Sequence, residues 1–390
     1  MWTCHKCGSD NQDLMNYCPR CGRIKAPSRN IRRKPNLFLP ITATCILIII
    51  VLTVWIVNLL PSTAKKAEIV DVVRLADAQK GDALIALLSD GTLRTAGLDN
   101  WFGEGNVRQI NTWTNLVQVE TYMNKELFGL KADGSVVSTY IPKDSSYNNP
   151  NQWTNVKKLI IGNIDYYALT CDGHILVAEK SPTQSLNRFI ISWTNVDKAA
   201  YFAYPEARGV IALQSDGTVL LPGDYYPFTE PPEEGIDIDS SGFIHCCLQK
   251  DGRIKITGLE TTYNQKLVED AERITSAVQV VVYSRGLACR LRDGTVVSCG
   301  RIPDDTSKWQ DVVNIQNSAA GLLGLTKGGS ILFSSLNEGY QRADQELSVK
   351  IERELSTWRD IVRIKSYGEY VLGWQSNGTM LAAGIDLGTF

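Results

Sequence analysis

The stretch Trp113 to Tyr140, WTNLVQVETYMNKELFGLKADGSVVSTY, holds a tryptophan, an alternating apolar run, a second such run and an Asp-Gly turn. Asp-Gly between two period-2 runs is a strong hairpin signal, because its central residues tolerate the positive φ of a type I′ turn. The run upstream of the hairpin adds a third strand. The unit recurs along the chain. Its turns read LLSDGTL, LKADGSV, LTCDGHI, LQSDGTV, LQKDGRI, LRDGTV, LTKGGSI and WQSNGTM, with glycines at Gly91, Gly134, Gly173, Gly217, Gly252, Gly294, Gly329 and Gly378. They lie 35 to 49 residues apart, and a period near 40 with three or four antiparallel strands per unit predicts an all-β chain built as a β-propeller of seven to eight blades over residues 68–390.

Ahead of the first strand stand Trp113-Thr114-Asn115, Trp153-Thr154-Asn155, Trp193-Thr194-Asn195, Trp309-Gln310-Asp311 and Trp358-Arg359-Asp360. A ring recurring at one phase of every unit is expected to pack between neighbouring blades. The same phase near Glu233 and Ala271 lacks it, which marks those two junctions as the loosest.

The segment Gly97 to Val119, GLDNWFGEGNVRQINTWTNLVQV, followed by LFGLKADGSVVSTY, is similar to repeats of the regulator of chromosome condensation family in its short-repeat bacterial form. The resemblance implies a propeller, seven-bladed in most members, used for protein binding. Eight units are counted here, and the histidine that often precedes the L-x-x-D-G strand is missing. The family's binding residues lie on variable loops and do not transfer.

Upstream, Leu37 to Leu60 is an uncharged run of 24 residues, LFLPITATCILIIIVLTVWIVNLL. At about 1.5 Å per residue it suffices to cross a hydrocarbon core of about 30 Å. It is too long for a signal peptide and lies too far from the start. Residues 1–36 carry eight Lys/Arg against two Asp/Glu, and residues 61–390 carry 32 against 40. The positive-inside rule therefore predicts a single-pass membrane protein with a cytoplasmic N-terminus and an extracytoplasmic propeller. An acidic outer domain without a basic run excludes a nucleic-acid footprint. Residues 26–36 read as a basic juxtamembrane linker and 61–67 as a tether.

Cys4-His5-Lys6-Cys7-Gly8 and Cys18-Pro19-Arg20-Cys21-Gly22 form two C-x-x-C-G knuckles within residues 1–25. Four thiolates at this spacing close a tetrahedral structural zinc site, and a segment this short needs the metal to fold. Lys6 and Arg20 offset the site's charge, and the glycines permit a positive-φ turn. The segment resembles the zinc-ribbon pieces at the N-termini of many bacterial membrane proteins.

Catalysis finds little support. The outer domain has only His174 and His245, no G-x-S-x-G and no H-E-x-x-H, so a triad or zinc hydrolase is hard to assemble. Asp237-x-Asp239-x-Ser241-Gly242 begins like a calcium loop, but Leu248 stands where the bidentate Glu is required. Cys171, Cys246, Cys247, Cys289 and Cys299 are an odd set. Cys289 and Cys299 flank one turn, open to a cross-strand pair or to buried free thiols.

The regular turns build blades, whereas 141–151, 180–187, 223–234 and 334–346 differ in length and character. These segments carry Tyr147, Tyr225, Tyr226, Phe228 and Tyr340, aromatics suited to anchoring a partner. The expected function is binding of a protein or cell-envelope component, as sensor or scaffold. An enzyme with its active site at the propeller mouth is the alternative.

Overall fold

The computed structural model describes residues 2–4, 6–11 and 17–21, and residues 67–385 with gaps at 76–79, 81–82, 123–125, 143–147, 163–164, 179–186, 204–207, 224–227, 229–230, 242, 259–260, 262–263, 284, 301–305, 336–341 and 368. The chain divides into two units, Met1–Glu68 and Ile69–Phe390. The expected span at 37–60 and its basic linker lie outside the described residues. Among the described residues, no helix is long and apolar enough to cross a membrane.

The larger unit is a propeller-like series of eight three-stranded antiparallel sheets, each made of consecutive strands. Their first strands are Ile69–Leu75, Leu116–Tyr122, Val156–Ile161, Val196–Ala203, Gly235–Ser240, Ala277–Tyr283, Val312–Ser318 and Ile361–Tyr367. From sheet 1 to sheet 8, each first strand lies beside the next sheet's first strand. All eight shift register at their second residue, as between Leu116 and Gln118. One extra residue there bends the strand and re-aims the side chains that follow.

Among the described residues, no sheet has a fourth strand. In its place the chain runs through a helix or 3-10 turn: Asp99–Ile110, Pro150–Gln152, Asn187–Ile190, Gln265–Glu272, Thr306–Lys308 and Arg342–Ser356. The last of these overlaps the segment 334–346 that reads as an irregular connection. Its Leu347, Ile351 and Leu355 pack with Trp358 into the core between sheets 7 and 8.

The Asp-Gly turns differ from the expected type I′. In the first, the Gly91 amide donates to Leu88 O and the Leu88 amide to Thr92 O, both at 2.9 Å. Positive φ falls on the glycine and not on the aspartate. This is a three-residue loop closed by a left-handed glycine. The aspartate serves otherwise: Asp90 Oδ1 accepts from the Thr92 hydroxyl at 2.7 Å and its amide at 3.0 Å. The hydroxyl and then the amide hold Asp90 below the usual carboxylate range.

Glycine is required there for a second reason. A Cβ on the turn glycines of sheets 1 to 7 would stand 2.8 to 3.3 Å from backbone of the following sheet. Each turn-glycine carbonyl accepts the amide of that sheet's first residue, from Leu116 N to Gly91 O at 2.9 Å through Ile361 N to Gly329 O at 3.0 Å. The residue just before each of these strands, Asn115, Asn155, Asn195, Glu234, Ser276, Asp311 or Asp360, is left-handed, with φ between 46° and 66°. Asn and Asp tolerate that region better than other side chains, which accounts for the asparagine of the Trp-Thr-Asn phase.

The tryptophans pack between sheets as expected. Trp113 lies among Val73, Leu75 and Ile85 of sheet 1 and Leu116 and Val119 of sheet 2. Trp153, Trp193, Trp309 and Trp358 repeat this at their own junctions. Mid-strand glycines make the room: a Cβ on Gly373 would meet the Trp358 ring at 2.4 Å. At the junction of sheets 5 and 6, Ile274 stands in the tryptophan phase and, with Leu267 and Ala271 of the helix, joins a fully apolar cluster.

Candidate functional site

The N-terminal unit pairs Trp2–Thr3 with Asp10–Asn11 in antiparallel register. Between them, the Gly8 amide donates to Cys4 O at 2.8 Å, and Gly8 takes a φ of 70°. That turn carries Cys4 and Cys7, and the second knuckle carries Cys18 and Cys21. The four sulfurs lie within 4.8 Å of one another. Cys4 Sγ is 3.5 Å from Cys21 Sγ, and Cys7 Sγ is 3.5 Å from Cys18 Sγ. Thiolates about 2.3 Å from a central zinc stand under 4 Å apart, so these residues fit a metal ion. Ser9 Oγ lies 2.9 Å from Cys18 Sγ. Burial pushes Cys18 up, but Ser9 and the Arg20 and Cys21 amides outweigh it and bring the thiol down to about 6, favouring the ligating thiolate. Lys6 and Arg20 are exposed, and His5 lies outside the described residues.

In the larger unit, side chains on the first strands, at or past the register shift, bond neighbouring sheets. There a glutamine clamps neighbouring sheets. Gln118 Nε2 donates to Leu159 O at 3.2 Å while its Oε1 accepts the Leu159 amide at 3.0 Å. Gln279 does the same to Ile315, at 2.8 and 3.0 Å. Gln316 reaches Ile364 O at 3.0 Å and the Ser366 amide at 2.9 Å. Between sheets 3, 4 and 5 charges replace the amides: Lys157 pairs with Asp197 at 2.9 Å and Lys198 with Asp237 at 2.8 Å.

Glu120, Lys158 and Asp239 complete this lining. Enclosure raises Glu120, an effect that Lys365 opposes, and lowers Lys158, an effect that Glu120 opposes. Asp239 is raised to about 6, chiefly by burial. Lys158 nevertheless has an exposed side chain.

The last sheet reaches the first through side chains. Lys365 Nζ donates to Asp71 Oδ2 at 2.6 Å, and the Tyr367 hydroxyl lies 2.7 and 2.8 Å from the two Asp71 oxygens. The Tyr370 hydroxyl donates to Val72 O at 3.0 Å and Trp374 Nε1 to Ile69 O at 3.4 Å. Burial alone would lower Lys365, but the Asp71 and Glu120 carboxylates more than offset it and the ammonium is raised.

Of the candidate anchors, Phe228 is half-buried and packs against the cluster between sheets 4 and 5. Tyr147, Tyr225, Tyr226 and Tyr340 lie outside the described residues. His174 is exposed in the turn of sheet 3, and His245 is 1% exposed in sheet 5, so the two imidazoles stand in different surroundings. Cys289 faces Val297 and Cys299 faces Leu287 in the strand register. The two thiols are therefore not a directly opposed pair, and both are free. The glutamine clamps were missed by sequence reasoning: Gln118 and Gln279 are third in their strands and Gln316 fifth, and what each one meets is set by the backbone across the joint.

No family model matches the chain, and no curated protein matches it. Among solved structures it is similar to BamB from Moraxella catarrhalis, at 10% identity over 82% of this chain and 98% of that one, with a TM-score of 0.39. It is also similar to Prp20p from Saccharomyces cerevisiae, at 12% identity over 56% and 70% with a TM-score of 0.36. A third is YCF48 bound to D1 peptide, at 12% over 83% and 93% with a TM-score of 0.32. Likenesses at this level carry no functional inference.

Proposed function

We propose that this chain is a single-pass membrane protein whose residues 69–390 form a closed eight-bladed propeller that binds a protein or cell-envelope ligand. In this reading residues 37–60 span the bilayer, the N-terminus is cytoplasmic, and the propeller is extracytoplasmic. Cys4, Cys7, Cys18 and Cys21 hold one structural zinc, with no coordination position left for catalysis.

The observation that carries the binding reading is the contrast between joints and connections. Seven joints use one glycine-to-amide bond, while the connections from third strand to next first strand range from a three-residue 3-10 turn to a helix of 15 residues. Uniform joints build a scaffold, and variable connections on a rigid scaffold are where recognition residues accumulate. The side-chain bonds from Lys365, Tyr367, Tyr370 and Trp374 to sheet 1 support closure. The separate surroundings of His174 and His245 favour binding over catalysis.

The test combines topology with capture. Protease added to intact cells, or to spheroplasts where an outer membrane is present, is expected to cleave residues 68–390 and spare the cysteine segment. Cross-linking in those cells is expected to capture a partner that is lost with alanine at Tyr225 and Tyr226 in a stably folded chain. A protected propeller overturns the topology, and capture unchanged by the double variant overturns the assigned loop. Trp153→Ala serves as the folding control, losing about 3 to 5 kcal/mol.

A further inference from the structure

The joint between sheets 5 and 6 matches the joint between sheets 7 and 8 residue by residue. The Ile274 amide donates to Ala271 O at 3.0 Å where the Trp358 amide donates to Leu355 O at 3.0 Å, so Ile274 answers to Trp358 and Ala271 to Leu355. The helices before them correspond as well. Gly300 and Gly384 stand at the ends of their third strands with φ of 92° and 84°. A Cβ on them would lie 3.0 Å from Leu267 and 3.2 Å from Ile351, which hold the same place along the two helices.

Within this shared frame the side chains differ in size. Ile274 replaces Trp358, Ala271 replaces Leu355, Asp270 replaces Glu354, and Cys289 replaces Gly373, which lies under the Trp358 ring. The Cys289 thiol returns less volume than the other three withdraw. Glu354 Oε2 accepts the Gly384 amide at 2.7 Å and ties the helix to the strand. Asp270, one methylene shorter, pairs with Arg273 at the end of its own helix at 3.2 Å. Beside it lies a cleft of about 580 Å³ whose apolar wall is Leu267, Ile274, Leu291, Val297 and Cys299, with Asp270 and Gly300 also lining it. Val297 faces Cys289 in the strand register as Val137 of sheet 2 faces Gly129. There Val137 packs with the Trp113 ring. The cleft therefore borders ground that an indole covers at other joints.

We propose, on the reading that the larger unit binds a protein, that this cleft receives an aromatic side chain of the partner, in the place an internal tryptophan holds at other joints. Its volume falls in the range of sites that enclose a ring-sized group. Aromatic rings bury a large area with few rotors, and a ring seated in a pocket often dominates an interface. The Asp270 carboxylate can accept from an indole N–H or a phenol O–H, which an aliphatic side chain lacks. Lys266 and Arg273 also line the cleft and balance Asp270, so the lining favours a neutral ring over a charged group.

Saturation-transfer NMR on the full-length chain in lipid nanodiscs, with empty discs subtracted, tests the cleft with capped side chains as probes. N-acetyl-tryptophanamide and N-acetyl-tyrosinamide are expected to receive saturation, and N-acetyl-leucinamide to bind roughly tenfold or more weakly. Ile274→Trp combined with Cys289→Gly copies the Trp358 joint, and it is expected to remove the transfer while the chain stays folded. Val297→Trp, a change on the half-buried third strand, fills the cleft a second way should the double variant fail to fold. No transfer to either aromatic amide, equal binding of the leucine amide, or transfer unchanged in a folded, filled variant overturns the proposal. Free indole binding without the capped amides would assign the cleft to a small molecule and overturn the protein occupant. Cross-linking capture in cells tests protein binding as such, whereas the amide probes test this cleft, so the two can fail independently.

Discussion

Lys365 of the last sheet and Asp71 of the first approach to 2.6 Å, and the lysine ammonium is raised by that contact. The pair is mostly shielded from solvent, with side-chain exposures of 28% and 10%. Removing one partner of such a pair strands the other charge, a loss of about 3 to 5 kcal/mol when burial is complete. Asp71→Ala is expected to lose about 3 kcal/mol, with Lys365→Ala adding little in the double variant. Additive effects in urea unfolding would show that the seam does not depend on this contact.

Ser276 is a left-handed residue with a φ of 66° at a position where three other sheets place asparagine. A non-glycine residue there costs about 1 to 2 kcal/mol, less for asparagine, whose short amide bonds locally. Ser276→Asn is expected to stabilise the chain by about 0.5 to 1 kcal/mol, raising the urea midpoint without changing the slope. A destabilised variant would place the strain elsewhere in the joint.

Cys171 is exposed, whereas Cys246, Cys247, Cys289 and Cys299 are buried. Burial pushes Cys247 and Cys299 up to about 12, and the thiolate is the reacting form. A thiol reagent applied to the folded chain is therefore expected to label Cys171 rapidly and the four others only after unfolding. Cys171→Ser should remove the fast phase from residues 69–385. Rapid labelling of Cys299 would mean that the cleft of about 580 Å³ that it lines with Leu267 and Asp270 opens further in solution.

The cysteine cluster predicts one zinc per chain under reducing conditions. Cys18→Ser is expected to reduce the bound metal to well below half an equivalent and to expose the segment Met1–Glu68 to protease, since so small a unit has no core of its own. Full metal content in that variant would move the site away from Cys18.

The strands and turns of the larger unit are legible because each hairpin is encoded locally, by period-2 alternation around a glycine. Trp113 and its equivalents are legible as interior for the same reason, since their phase is fixed relative to the turn. The turn type is less so: Asp-Gly suits both a two-residue loop and a three-residue loop, and what decides is a bond from Thr92 back to Asp90. Arg342–Ser356 does carry a helical pattern in Leu347, Ile351 and Leu355, one that alternation-based reading passes over. Gln118 and Asp239 lie beyond the reach of the linear pattern altogether. Their roles depend on which backbone stands across the joint, and two similar first strands place a clamp on Leu159 and a half-buried carboxylate on Val282.

The carbonyl of each turn glycine meets the first amide of the following sheet in the same way at Gly91, Gly134, Gly173, Gly217, Gly252, Gly294 and Gly329. Every interior sheet thus presents one kind of socket ahead and one kind of plug behind, like links in a chain. Excising one link, for instance by a deletion running from Leu116 to Asn155, would bring Val156 to Gly91 with the plug and socket still matched. The joint chemistry accordingly does not count the links. What sets their number is whether the two unlike ends, Asp71 and Lys365, can still meet.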